Sequence, residues 1–542
     1  MELLREIYES QYSYGQKVQT AFGLRFLTYA DFVASGQPLK IIEKTIENHI
    51  LPVYANTHTE ASFTGLQTTH FREEARQIIK DSVNATQDDA VIFCGSGSTS
   101  AIHKLYLSLL SSFDQSDKAT PTTVFIGPYE HHSNVLPWRE SPFELIELPM
   151  AADGGIDLKV LEEELDKRKN SHRIIGSFSA ASNVTGIISP VDKINEMIKE
   201  RGGLAFWDYA GGAPYMKIDM NPGGNFNKDA VFISPHKLIG GPGTPGILVV
   251  KKKLFEGLKP VIPGGGTVQF VSKWSQRYIN DIEAREEGGT PSIIGAIRAG
   301  LVFKLKEEVG SDRIEQLEHN YISRAIEYFR DKEKVRILGS LELKRLSFLS
   351  FHIAHNGKLL HHNYIVALLN DLFGIQSRGG CSCAGPYGHD LLQIDEVTSN
   401  CYVGIIDEGE EGFKPGWVRL NFNYFIPEEE FIFLLNAIEW ISEHGWKLLK
   451  EYHFEIESGL WQHNSGRSEV KELSDLDMSG ISKNIDCQKP TSIYTEYIEL
   501  ANGIVDKAVS DWDNVEGQQF TFSQHELELK WFSISDDVKV HA

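Results

Sequence analysis

Between about residues 40 and 260 the chain alternates short apolar runs with segments of helical period, and no other feature narrows its fold so far. AVIF (Ala90–Phe93), TTVFI (Thr122–Ile126), RIIGSFS (Arg173–Ser179), LAFW (Leu204–Trp207) and AVFI (Ala230–Ile233) read as buried strands. AIHKLYLSLLSSF follows the first as a helix. Val191, Ile194, Met197 and Ile198 recur at helical spacing in a later segment that Gly202-Gly203 closes. Strand–helix alternation of this kind predicts an α/β layer with a mostly parallel sheet.

Past Pro263-Gly264-Gly265-Gly266 the rhythm changes. GAIRAGLVFKLKEEVG and RIEQLEHNYISRAIEYFRD predict longer helices, RLSFLSFHI (Arg345–Ile353) a strand, IVALLNDLFG a helix and WVRLNFNYF a strand. The expected organisation is an N-terminal segment over 1–40 that packs with the small domain, a large domain over 41–295, a small α+β domain over 296–450 and an acidic extension over 451–542. Periodicity is lost from about residue 455. The stretch Tyr494–Ala542, through FTFSQHELELKWFSI, predicts one or two strands or an appendage that faces a partner.

The net charge of −22 disfavours nucleic acid and anionic membranes as partners. Half of it falls in residues 451–542, which hold 7 basic and 18 acidic residues. MELLREIYESQYSYGQ fits neither a secretory signal nor a transit peptide, and no apolar run approaches the ~18 residues of a membrane span. Five cysteines in 542 residues make no disulfide framework, so the cytoplasm is expected.

Chemistry gathers where the strands end. FISPHKLIGGPGTPGI carries a strand into Ser234-Pro235-His236-Lys237 and then a Gly/Pro-rich loop. A desolvated lysine near another cation loses its proton readily and forms Schiff bases. Asp208 ends Phe206-Trp207-Asp208, where a buried acid needs a cationic partner such as a pyridinium nitrogen. Gly95-Ser96-Gly97-Ser98-Thr99 opens a helix after a strand, and backbone N–H groups and hydroxyls there make a phosphate cradle. It matches neither a Walker A loop nor a GxGxxG fingerprint, so a nucleotide is not favoured. Glu130-His131-His132-Ser133-Asn134 supplies an imidazole able to stack on a flat cofactor. Each motif alone has an ordinary structural explanation; together they describe one crevice at the sheet's carboxyl edge.

In this combination the chain resembles the class V aminotransferase family of fold-type I pyridoxal phosphate (PLP) enzymes, most closely its cysteine desulfurase and selenocysteine lyase branch, over roughly residues 25–445. The resemblance implies a large domain on a mostly parallel, seven-stranded sheet, a smaller α+β domain, and PLP as cofactor. It implies that Lys237 carries the cofactor, that Asp208 pairs with the pyridinium nitrogen, and that His131 stacks on the ring and serves as acid and base. Asn183 in SNVTG matches the asparagine at the phenolic oxygen. Gly97, Ser98, Thr99, Ser234 and His236 match the phosphate site. Thr290 in EGGTP matches a threonine that reaches the neighbouring subunit's phosphate, which implies a homodimer. Arg419 is placed like the arginine that grips a substrate α-carboxylate, and His58 in NTHTEASFTG like a residue of a substrate-side loop. One departure stands out: Gly211 occupies the position of the desulfurases' usual glutamine.

The loop SRGGCSCAGPYGH (Ser377–His389) matches the group's Arg-x-Gly-x-x-Cys at Arg378, Gly380 and Cys383. Cys383 is then the nucleophile that takes sulfur as a persulfide, and Cys381 a resolving thiol or a bystander. A metal site would need further ligands; His389 and Cys401 are near in sequence, but no second CxC or CxxC exists, and no metal is expected. The leading reading is a homodimeric C–S or C–Se lyase acting on L-cysteine or a close analogue, passing sulfur to an acceptor protein. Other readings are an epimerase, transaminase or β-lyase of the same family, and a non-catalytic sulfur-relay or scaffold protein.

Overall fold

A computed structural model describes residues 2–57, 60–115, 120–466, 470–476 and 489–539. It divides into two compact units, Phe32–His319 with Glu342–Leu346, and Met1–Asp31 with Asn320–Leu341 and Ser347–Ala542.

The first unit is built on a seven-stranded sheet: β1 Asp89–Cys94, β2 Thr122–Ile126, β3 Glu144–Glu147, β4 Arg173–Ser179, β5 Leu204–Asp208, β6 Ala230–Ile233 and β7 Gly246–Lys251. The order is β1-β7-β6-β5-β4-β2-β3. Only β7 runs antiparallel to its neighbours β1 and β6; all other pairs are parallel. The expected mostly parallel sheet is therefore present, with β3 and β7 added to the strands read from sequence. β7 escapes such a reading because the Gly/Pro-rich run just before it looks like a loop. Ala90, Ile92, Val124, Ile175, Phe206, Phe232 and Leu248 form the centre of the core beneath the helix Gly97–Gln115.

β1 is an edge strand, and such an edge invites pairing with another chain unless it is closed. Here side chains close it. Val91 N–H donates to Glu283 Oε1 at 2.7 Å and Phe93 N–H to Glu287 Oε1 at 2.7 Å. Arg76 donates to Val91 O and binds Glu287.

The second unit holds an antiparallel sheet of β8 Val335–Ile337, β9 Phe348–His355, β10 Arg378–Gly380 and β11 Trp417–Asn421, in the order β8-β9-β11-β10. The helices His362–Phe373 and Glu428–His444 pack within the same unit. Residues beyond 450 add a hairpin, Tyr452–Glu455 with Leu460–His463, and a helix, Ile493–Ser510. Buried Glu430 ties three distant segments together, accepting from Tyr8 Oη at 2.5 Å, Tyr494 Oη at 2.9 Å and Lys489 Nζ at 3.1 Å. The terminal strands expected from FTFSQHELELKWFSI do not form. Ser523 and Glu526 make a capping box there and start the short helix Gln524–Leu529, so local capping overrides the apolar alternation.

Candidate active site

In the first unit the cradle forms where β1 runs into the helix Gly97–Gln115. Gly97 has a φ of +58°, and a Cβ there would lie 2.9 Å from Ser234 Oγ and 3.3 Å from His236 Cε1. Ser98 N–H donates to Ser234 Oγ at 2.8 Å. At Gly246, the first residue of β7, a Cβ would fall 1.9 Å from Gly97 O. The start of the helix is thus pressed between the end of β6 and the start of β7, which only glycines allow. Thr99 Oγ1 lies 2.7 Å from Ser133 Oγ, and Ser133 Oγ lies 3.1 Å from His131 Nδ1. Amides and hydroxyls at a helix N-terminus are a ready anion site.

His131 caps the helix His132–Arg139, its Nδ1 accepting from Ser133 N–H at 3.1 Å. A neutral ring with Nδ1 as acceptor carries its proton on Nε2. Beside it, Glu130 is buried and accepts from Gly127 N–H at 3.2 Å, Ser179 N–H at 2.9 Å, Ser179 Oγ at 2.6 Å and Asn134 Nδ2 at 2.7 Å. Burial pushes its carboxyl up to about 7 against the pull of these bonds. Sequence reasoning passes Glu130 over. The signal it carries is an acid wedged between a strand's end and a histidine cap.

Asp208 is the last residue of β5 and is 4% exposed. Its Oδ1 accepts from Ala210 N–H at 2.8 Å. Burial raises its carboxyl above the usual range, opposed by the Ala210 N–H and then by the Lys237 charge. Lys237 ends the turn Pro235–Lys237 that follows β6, and β5 and β6 are neighbours, so both groups sit at one end of the sheet. Burial, then the Lys237 charge, pushes His236 down to about 4. Asn183 lies in the turn after β4, which Ser182 Oγ builds by accepting from Val184 N–H and Thr185 N–H, both at 3.1 Å. At Gly211 a Cβ would meet only Ala181 O, at 3.4 Å. Thr290 is exposed and follows Gly289, whose φ is +85°. His58 lies outside the described residues.

The second unit gathers the remaining expected residues. Arg419 on β11 is 4% exposed and donates through Nη2 to Asp31 Oδ1 at 3.1 Å. Arg378 stands opposite it in register on β10, its Nε 3.0 Å from Asp31 Oδ2. Asp31 is a second residue that sequence reasoning misses, since nothing local marks it as the partner of two arginines. β10 leads straight into the thiol loop. Ser382 and Cys383 adopt left-handed φ values of +56° and +55°, a conformation that costs a non-glycine residue about 1–3 kcal/mol each and persists only under strong external constraint. Cys383 is exposed and Cys381 half-buried. His389 bonds Gly385 O and Ser399 Oγ, both at 2.8 Å. Among the described residues, no group of three or more His, Cys, Asp or Glu is arranged to hold a metal ion.

The aminotransferase class-V family model matches residues 28–406. A "probable cysteine desulfurase" of Halalkalibacterium halodurans is 31% identical over 378 residues, 69% of this chain and 87% of that protein. Another of Pyrococcus abyssi is 28% identical over 380 residues, 69% of this chain and 89% of its own length. Among solved structures, the apo cysteine desulfurase of Thermococcus onnurineus superposes with a TM-score of 0.64 at 25% identity, covering 77% of this chain and 95% of that one.

Proposed function

The chain belongs to the aminotransferase class-V family, and we propose that it is a PLP-dependent cysteine desulfurase, taking sulfur from L-cysteine, or selenium from its analogue, and releasing L-alanine. The observation that carries the reading is Asp208, a buried carboxylate within electrostatic reach of Lys237 at the carboxyl end of two adjacent parallel strands. That pair fits PLP: an acid for a pyridinium nitrogen and an amine for an aldehyde. The Gly97–Thr99 turn, closed to a side chain by Ser234 and His236, fits a phosphate. When bound, PLP supplies an electron sink for the substrate's α-carbon.

The chain's own residues supply the rest. Arg419 binds the substrate α-carboxylate by charge-assisted hydrogen bonds. His131, its Nδ1 committed to Ser133, keeps Nε2 for proton exchange. The Cys383 thiolate attacks the substrate sulfur; a sulfur–sulfur bond forms, the carbon–sulfur bond breaks, and its electron pair stays with carbon, which gains a proton to become alanine. The persulfide then passes to an acceptor protein. The same reading makes the chain a cytoplasmic homodimer in which Thr290 serves the neighbouring site. Among the described residues no helix is long and apolar enough to cross a membrane.

The test is to load the protein with PLP, look for an absorbance band near ~420 nm from the lysine-bound cofactor, and assay alanine and persulfide from L-cysteine. Cys383→Ser is expected to lose persulfide formation while keeping the band. A variant that desulfurates as fast as the wild type defeats the assignment. Gly211 favours a second reading, an epimerase, transaminase or β-lyase, because the space beside Ala181 O lacks the usual glutamine. Racemised amino acid or keto acid in place of alanine would establish it.

A further inference from the structure

The family match ends at residue 406, yet residues beyond 520 reach the backbone on both sides of the thiol loop. Upstream, Trp531 stacks on His361 at 5.2 Å and 20° and on His362 at 5.7 Å and 22°. Its Nε1 donates to Phe413 O at 2.9 Å, and Ser533 N–H to Leu359 O at 2.9 Å. His362 in turn backs β10. A Cβ on Gly379 would lie 2.8 Å from His362 Nδ1, and one on Gly416 would lie 2.8 Å from both His362 Cδ2 and Gly380 Cα. Trp531, His362 and the strand Arg378–Gly380 therefore form one packed stack, and Cys381 is the next residue. Downstream, the helix Glu396–Asp407 is held by Tyr402 Oη donating to Leu529 O at 3.2 Å, and Phe413, which accepts from Trp531, follows it in the chain. Between these two grips lie the left-handed residues Ser382 and Cys383. Such a conformation is kept only where its surroundings over-determine it.

We propose that residues 523–538 are a brace that fixes the backbone entering and leaving the thiol loop, with Trp531 as the positioning residue that makes Cys383 competent to accept sulfur. The proposal rests on the desulfurase reading for its effect on turnover, but the geometry of the loop can be read without it.

The test uses the full-length, PLP-loaded protein. Trp531→Ala is compared with the wild type in the rate of a single-turnover persulfide burst from L-cysteine, in the KM for L-cysteine, in the absorbance band, and in the rate at which iodoacetamide alkylates Cys383. The expected result is a burst at least tenfold slower and an altered alkylation rate, with KM and the band unchanged; Trp531→Phe, which keeps the stack, restores most of the burst. A folded Trp531→Ala protein with wild-type burst and alkylation rates overturns the brace. Where that variant fails to fold, the double variant Trp531→Phe with Tyr402→Phe removes only two hydrogen bonds. It is expected to slow the burst at least threefold, and no change in burst or alkylation overturns the proposal. If the wild type releases no alanine, the desulfurase reading fails, while the alkylation rates still decide the brace.

Discussion

Asp31 meets Arg419 and Arg378 at once, one carboxylate oxygen to each guanidinium. Arg419 is almost wholly buried, and this carboxylate faces its charge inside the unit. Removing one member of a buried ion pair leaves the other unsolvated and costs about 3–5 kcal/mol. Asp31→Ala is therefore expected to lower the melting temperature. A saturating amino acid such as L-alanine, whose carboxylate replaces the missing counter-ion, should raise the variant's Tm more than the wild type's.

Arg419→Lys exchanges a planar fork for a point charge. With a charged hydrogen bond contributing about 1.5–3 kcal/mol, the KM for L-cysteine should rise roughly 10- to 150-fold, with the ~420 nm band intact. Steady-state kinetics beside absorbance spectra check this.

Acid should loosen the second unit through His362. Burial pushes its imidazole down to about 4, well below the ordinary value near 6.5. The unfolded chain binds a proton there below pH ~6.5 while the folded one does not, so the contribution is whole above that pH and lost as pH falls toward 4. The loss amounts to about 3 kcal/mol. Thermal melts from pH 7 to 4 should show a steeper fall for the wild type than for His362→Gln.

Gly246→Ala should damage the phosphate cradle more than any change to its hydroxyls. The added methyl would fall 1.9 Å from Gly97 O, a backbone atom that moves only with the helix start. Overpacking costs about 1–3 kcal/mol or more, and PLP retention on dialysis should fall at least tenfold.

Thiol labelling separates the cysteines. Burial pushes the Cys94 thiol up to about 12, whereas Cys383 is exposed, and only a thiolate alkylates. Mass spectrometry after brief iodoacetamide treatment should find Cys383 modified and Cys94 untouched.

The residues readable from sequence are those whose chemistry is local. Ser98, Asp208 and Lys237 each stand at a strand's end beside their own turn, so the strand pattern alone lines them up. Asp31 is 388 residues from Arg419, and only the folded unit joins them. Glu130 is hidden for a similar reason: three of its four donors, on Ser179 and Asn134, come from β4 and from the next helix. In the stretch around Gln524–Leu529 the apolar alternation pointed to strands, while the weaker-looking Ser523-x-x-Glu526 spacing decided the outcome.

The stack of Trp531 on His362 also bears on the order in which the protein is made. Asp31 is translated about 500 residues before Trp531, which at ~5–20 residues per second is a wait of roughly 25–100 s. A polypeptide released between residues 512 and 522 would already own Lys237, Asp208, Cys383 and Arg419 together with the helices Glu428–His444 and Ile493–Ser510, and would lack the brace and its indole behind β10. Such fragments could bind substrate yet fail to take its sulfur, so reactive persulfide would be confined to chains whose message was read past residue 531.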